Sequence, residues 1–504
     1  MPRTVTSRGV LLLVGAVLFG LLATLNAAGY RYGVADQAFY VPAVLRHVDP
    51  ALFPRDGALI GSQARLQLSD DLLAIAHVAT GLSLPSLFFA GYALTMIALF
   101  ASLVALGRAL YASGWTIAAL VCAATLRHGI SKTGANTLEG YFHPRILAFA
   151  IGVCAVVLLL RRRPLAAALL VFIAGLLHST TALFFAIWIG VGFAVNDPRA
   201  RRPFAILAAV GAFAGVVILG TGALTLTPMD TEWMAAFPDK DYIFPTQWSA
   251  ESWALNLLYP LVIAGVYAAR RRAGAAKPEE LGLVAGCLSL VIVFLLTLPF
   301  IAVRSAFVVQ LQVARVFWMM DLLATAYVVW AIAEWRGAAA VRWRAPAVAV
   351  MLAAFAIGRG WYVMRVEHAG RPLAEIGLPD DAWKDVSHWL RDHTPKEAHV
   401  LADPGHAWRY GTSLRVSAER DVFLEDVKDA SIGFYGRPIA LRVAERRAAL
   451  EALPLAEPDV PADRTAAQVR ALATRYDLQY LVTERALPFP EVYRNTRFHV
   501  YRLS

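Results

Sequence analysis

Apolar residues in this chain gather in long runs. Runs long enough to enter a bilayer lie near 9–28, 84–107, 115–126, 145–160, 164–178, 181–195, 204–222, 253–269, 281–303, 316–334 and 345–362. They predict about eleven membrane helices. The runs 115–126 and 164–178 are short for a hydrocarbon core of roughly 30 Å, which predicts tilted or re-entrant segments, or segments extended by buried polar residues. From Val363 the pattern changes: Trp383, Val386, Trp389 and Leu390 recur at helical spacing behind Asp380 and Asp381. Helical patterns at 438–453 and 465–476 then alternate with the short runs AHVLAD (398–403), DVFLED (421–426), YLVT (480–483) and FHVYRL (498–503). The prediction is an α-helical multi-pass membrane domain over 1–362 followed by a soluble α/β domain over 363–504. No internal repeat or inverted symmetry is visible, which counts against a secondary transporter.

Composition agrees with the runs. Of 504 residues, 58% are hydrophobic and 17% charged, and the mean hydropathy is +0.54, which excludes an ordinary soluble chain. The cysteines, Cys122, Cys154 and Cys287, each lie inside an apolar run, so neither a disulfide framework nor a cysteine metal site is expected. Arg3 and Arg8 precede the first run, but no small-x-small cleavage site follows it, so a retained helix is expected. Residues 1–362 hold 27 Lys+Arg against 16 Asp+Glu, and residues 363–504 hold 20 against 21. The basic excess belongs to the membrane part, so it speaks to topology before nucleic acid. Its clusters, Arg161-Arg162-Arg163, Arg199 with Arg201-Arg202, Arg270-Arg271-Arg272, and Arg336 with Arg342 and Arg344, share a side with the N-terminus. That side is cytoplasmic by the positive-inside rule, and the C-terminal domain is then outside.

Candidate chemistry concentrates in the outer segments. Tyr30 to Asp71 reads YRYGVADQAFYVPAVLRHVDPALFPRDGALIGSQARLQLSDD, with five acids and four arginines among aromatics and prolines. It predicts a large first extracytoplasmic loop, 29–80, without obvious secondary structure, of a length that is often functional. Asp36, just past the membrane edge, suits a general base; it also suits a loop acid or a helix N-cap before QAFYVPAVL. Asp49 and Asp56 flank prolines and are expected to form turns. The second outer loop, RHGISKTGANTLEGYFHPR (127–145), carries Arg127, His128, Lys132, Glu139, His143 and Arg145. Such a cluster suits an anionic group on a lipid, or ordinary interfacial snorkelling. His178, in GLLHSTTALF, lies on the same side; a histidine among Ser and Thr there usually makes packing hydrogen bonds. Arg304 and Arg315 bracket a short outer loop; Arg304 is assigned to phosphate contact, and Asp321 to a structural role. Asp239-Lys240-Asp241 matches a three-letter metal motif too weakly to assign a metal ligand. His388, His393, His399 and His406 are expected at the surface.

Taken together, the acid beyond the first helix, the loop running into HPR, the mid-membrane LLHSTTAL and the terminal soluble domain resemble the C-type (GT-C) glycosyltransferases. Within that superfamily the chain looks most like uncharacterised bacterial members, in which loops similar to DQAFYVPAVLRHVDPALFPRD accompany tails similar to WLRDHTPKEAHVLADP. The resemblance implies transfer of a sugar from a polyprenyl-phosphate donor to an extracytoplasmic acceptor at a bacterial inner membrane, with a periplasmic C-terminal domain. It implies Asp36 as base; many members carry a second acid beside it, where this chain has Gln37. The leaving lipid phosphate would then be met by Arg304, Arg145 or Lys132, with Arg127, Arg315, His143 and His178 as further substrate contacts. Tyr30, Tyr32, Phe39 and Tyr40 would stack on sugar faces. No nucleotide-binding glycine fingerprint follows a strand, which fits a lipid-linked donor, and no cofactor is implied. Competing classes are a non-catalytic carrier or flippase of lipid-linked glycans, and a structural membrane component. On this reading the soluble domain is an accessory that does not hold the chemistry.

Overall fold

The computed structural model describes residues 3–64, 67–220, 227–238, 240–335, 338–451, 453 and 461–504. Asp239 and Arg336, named above, and Arg65, one of the four arginines between Tyr30 and Asp71, lie outside the described residues. The chain divides into two units: Met1–Tyr30 with Ala90–Pro228 and Asp241–Ala374, and Arg31–Phe89 with Met229–Lys240 and Glu375–Ser504.

The first unit is helical. Among the described residues of the chain, seven helices are long and apolar enough to cross a membrane: Gly9–Asn26, Leu84–Leu110, Ser179–Asn196, Ala250–Arg272, Glu280–Ala302, Ala306–Ala333 and Val341–Glu367. Gly114–Ala124, Pro144–Leu160 and Pro164–Leu177 are apolar but shorter. Two of the expected spans meet at His178, whose extended backbone (φ −158°, ψ 100°) ends the helix Pro164–Leu177 and caps Ser179–Asn196.

Glycines set the closest packing. A Cβ on Gly282 would strike the Gly192 carbonyl, and one on Gly286 would strike the Trp188 carbonyl, so the helices Ser179–Asn196 and Glu280–Ala302 meet backbone to backbone, as small residues permit in a bilayer. The Trp188 indole donates to the Leu283 carbonyl at 2.8 Å, and the Asn196 amide to the Glu279 carbonyl at 3.0 Å. Arg270, counted above with a topological basic cluster, has a different task. Its guanidinium is fully buried, 2.8 Å from both oxygens of Glu280, and lies 4.6 Å from the Trp330 ring centroid.

The second unit contains a five-stranded sheet: β1 (His399–Leu401), β2 (Asp421–Val422), β3 (Tyr480–Thr483), β4 (Glu491–Arg494) and β5 (His499–Arg502). The order is β2-β1-β3-β5-β4, parallel across the first three strands and antiparallel from β3 to β5 and from β5 to β4. The helix Ala382–His393 starts at Asp381, which accepts from the Lys384 amide at 2.8 Å. Its Trp383, Val386 and Leu390 pack with Val400, Val422, Val482 and Val500. His399 and His406 are buried, contrary to the surface position expected of them: 1% and 0% exposed, each pushed down to about 4 by burial first of all. Neutral His406 accepts from the Leu414 amide at its Nε2 (3.3 Å), and its Nδ1 lies 2.7 Å from the Asp403 carbonyl.

Residues 31–89 belong to this second unit and are not the structureless loop the sequence suggested. They form the helices Gln37–Val48, Gly57–Ala64 and Ser69–Thr80. Phe39, Ala43, Leu52, Phe53, Leu59 and Ile60 bury a common core with Ile432. Asp56 is no turn-former: fully buried, it accepts from Arg415 Nε at 2.7 Å and from the Val422 amide at 3.0 Å, and is also paired with Arg442. Burial pushes its carboxyl up, but Arg415, Arg442 and Arg446 outweigh this and hold it well below the usual carboxylate range. These ties explain why a segment adjoining the first helix folds with the C-terminal residues. Asp49 does form a turn, accepting from the Ala51 amide at 3.1 Å, and it pairs with Lys396.

Candidate functional site

The segment 127–145, expected from sequence to be the second outer loop, contains a short hairpin in the helical unit. Gly129–Ile130 pairs antiparallel with Ala135–Asn136 around a turn in which Lys132 and Gly134 take positive φ (51° and 63°). The HPR motif then starts a helix. His143 has extended backbone and accepts from the Arg145 amide at Nδ1 (3.2 Å), while Pro144 fills the first helical position, where its missing N–H costs nothing. This places the Arg145 side chain in the first turn, the end where the helix dipole disfavours a cation.

Glu139 answers that cost. Its carboxylate lies 3.3 Å from Arg145 and 3.8 Å from Arg127, so two guanidinium groups share one acid. Arg145 and Glu139 are 3% and 6% exposed. Arg145 also reaches the Gly134 carbonyl at 3.4 Å and lies 5.6 Å from the centroid of Trp318, which stacks on Phe149 at 4.1 Å. Its Nε has no hydrogen-bond partner among the described residues.

His128 Nε2 is 3.1 Å from Asp321, and this bond raises the histidine above its ordinary value against the opposing effect of burial. Asp321, assigned a structural role from sequence, thus holds a residue of the segment 127–145. A cavity of about 50 Å³ adjoins the pair, with His128, Thr137, Asp321 and Trp318 in a wall otherwise made of residues such as Leu99, Leu120 and Phe149. The His143 and His178 rings meet edge to face at 6.4 Å, and Tyr141 stacks on His143 at 5.9 Å. His178 caps its helix through Nδ1, 3.3 Å from the Thr181 amide and 2.9 Å from its hydroxyl.

The structure therefore brings Arg127, Glu139 and Arg145 together, and His143 with His178. Lys132 is paired with Asp241, the last residue of the weak metal motif. Arg304 is exposed, at φ 57° immediately after the helix Glu280–Ala302. Arg315 immediately precedes the helix Val316–Ala333. No group of three or more His, Cys, Asp or Glu suited to a metal ion occurs among the described residues.

Asp36 lies in the second unit. It occupies the N-cap position of Gln37–Val48 but makes no side-chain capping hydrogen bond; its Oδ1 accepts from Lys428 Nζ at 2.6 Å. The Asp36 side chain is 34% exposed and that of Lys428 14%. Lys428 is 392 positions away, and no sequence signal points to it. Trp318 was a further omission, and Glu139, named with the second loop, was given no role although it is the one acid among the cations of 127–145.

No protein-family model matches this chain, and no curated protein matches it. Among solved structures it is similar to the crystal structure of the Archaeoglobus fulgidus oligosaccharyltransferase tethered with an acceptor peptide containing the NVT sequon via a disulfide bond. The match has a TM-score of 0.46 and 13% identity, over 94% of this chain and 69% of that one.

Proposed function

We propose that this protein is a membrane glycosyltransferase of the C type that moves a sugar from a polyprenyl-phosphate donor to an extracytoplasmic acceptor. The observation that supports it most is the charge arrangement around Glu139. Two guanidinium groups share one carboxylate, and buried Arg145 has an Nε without an acceptor among the described residues. A desolvated cation short of acceptors is costly, and an anionic ligand relieves that cost. Phosphate matches the guanidinium fork, and a helix N-terminus adds to its attraction. Arg127 and Arg145 are accordingly assigned to the lipid phosphate, with Arg304 as a further contact; Lys132 already has Asp241.

In the proposed reaction the acceptor hydroxyl gives its proton to Asp36 as its oxygen attacks the anomeric carbon. The bond from that carbon to the phosphate oxygen breaks, and the lipid phosphate leaves with the electron pair. Asp36 supplies basicity and the arginines stabilise the leaving charge.

Purified protein should bind undecaprenyl phosphate in nanodiscs and consume an undecaprenyl-phosphate-linked sugar. Arg145→Gln and Arg127→Gln should each weaken lipid binding at least tenfold, whereas Glu139→Gln, which removes the competing acid from the shared site, should strengthen it. Binding indifferent to all three substitutions, with no consumption of the donor, contradicts the proposal.

A further inference from the structure

The second unit holds a cavity of about 310 Å³ with residues from the carboxyl ends of β1 and β3 in its wall. The chain leaves β1 for β2 on one side and later returns to β3 on the other side of β1. The connections from these strands therefore diverge, and the crevice they leave is the position at which open α/β sheets bind ligands. Its volume is in the range of small-molecule sites.

The residues that the topology delivers there are chemically mixed. Asp403 follows β1, and Glu484 and Arg485 follow β3. Trp383, Tyr410 and Phe498 supply the apolar wall, with centroids 4.6 to 5.1 Å apart. Each acid has an arginine: Arg409 is 2.8 Å from Asp403, and Arg497 is 2.7 Å from Glu484 and 4.9 Å from the Tyr410 ring centroid. Acceptors and donors thus alternate with little net charge.

This composition discriminates between ligand classes. The loop after β1 is where a nucleotide site would offer free backbone amides to phosphate. Here the Gly405 amide donates to the Asp403 carboxylate at 2.7 Å, so this amide is occupied and not free to receive a phosphate. A ring of hydroxyl groups uses what remains: carboxylates accept from hydroxyls, guanidinium groups donate to them, and aromatic side chains cover the C–H face. We propose that this cavity binds a neutral saccharide unit. The inference rests on the second unit alone and stands apart from the assignment of Asp36.

The test uses full-length protein in a sugar-free detergent and saturation-transfer NMR. Methyl α-glucopyranoside and methyl N-acetyl-β-glucosaminide are the neutral probes; ADP and inorganic phosphate are the anionic ones. At least one neutral probe should receive saturation, and Glu484→Gln and Asp403→Asn should each reduce it at least tenfold. Unfolding midpoints within a few degrees of the parent would show that either variant is folded, and donor-lipid consumption should be unchanged in Glu484→Gln. Absence of signal from both sugars, a sugar signal that survives in both variants, or binding of ADP or phosphate in preference would overturn the proposal. Loss of donor consumption in the Asp36 variants with sugar binding intact would separate the two readings.

Discussion

Glu425 is fully buried 3.9 Å from Arg415, and burial first of all pushes its carboxyl up from 4.5 to about 7 despite that charge and Lys428; Asp429 pushes the same way. A folded-state value above the unfolded one contributes stability that is complete below the unfolded value and lost as pH rises through about 7. Glu425→Gln fixes the neutral form. Parent and variant should therefore unfold alike at about pH 4, with the variant the more stable at pH 8.5; thermal midpoints in detergent measure this, and a difference flat in pH contradicts it. Arg304 poses another kind of question, because its φ of 57° favours glycine. Arg304→Gly should leave stability equal or raise it by at most about 1 kcal/mol. If the side chain meets phosphate, the same change should lower kcat/KM for the donor at least tenfold, and unchanged kinetics would remove it from the site. Single positions differed in how far the sequence exposed them. Arg145 and His143 were legible because a capping residue, a proline and a cation adjoin one another. Asp56 was not: Pro50 and Pro54 just before it suggested a turn, whereas its partners Arg415 and Arg442 are hundreds of positions away.

The helix Pro144–Leu160 begins where His143 accepts from the Arg145 amide. His143→Ala should cost about 1 kcal/mol of stability, and His143→Asn should restore most of it, since Asn caps well. Equal losses in both variants would mean that the ring contacts with Tyr141 and His178 carry the effect instead. Legibility follows the same physics in other elements. Apolar runs announce helices because the bilayer demands them, and among the described residues the runs of the helical unit coincide with helices, seven helices of the chain being long and apolar enough to cross a membrane. The helices within 31–89 were hidden because the charges and prolines between them, Asp49, Pro50, Pro54, Arg55 and Asp56, marked the whole segment as loop, although Phe39 and Ala43 are four residues apart on a face that packs on Ile432. In the five-stranded sheet, β1, β2, β3 and β5 coincide with the alternating runs that suggested strands. β4 did not stand out: Glu491, Val492 and Arg494 are exposed, so no buried face marks it.

Composition suggests a contiguous domain over 363–504, and the second unit draws on three stretches of chain, Arg31–Phe89, Met229–Lys240 and Glu375–Ser504. Residues 375–504 supply Arg415 and Arg442 to Asp56, Lys396 to Asp49 and Ile432 to the core of 31–89. Deleting them should expose 31–89 to trypsin at Arg46 and Arg55 and abolish turnover; a truncated protein still resistant at these sites and fully active would restore the accessory role that sequence suggested. The central claim is that Asp36 is a general base, and its pairing with Lys428 gives the alternative that it is only half of an ion pair. Turnover of an undecaprenyl-phosphate-linked sugar by purified parent, Asp36→Asn and Lys428→Met separates the two. A base lost to Asn costs on the order of 10²- to 10⁴-fold in turnover, roughly 3 to 5 kcal/mol of barrier, with donor binding and unfolding midpoint preserved, while Lys428→Met keeps Asp36 and should lose far less. Equal losses in the two variants, or an Asp36→Asn protein within a few-fold of the parent, would contradict the assignment.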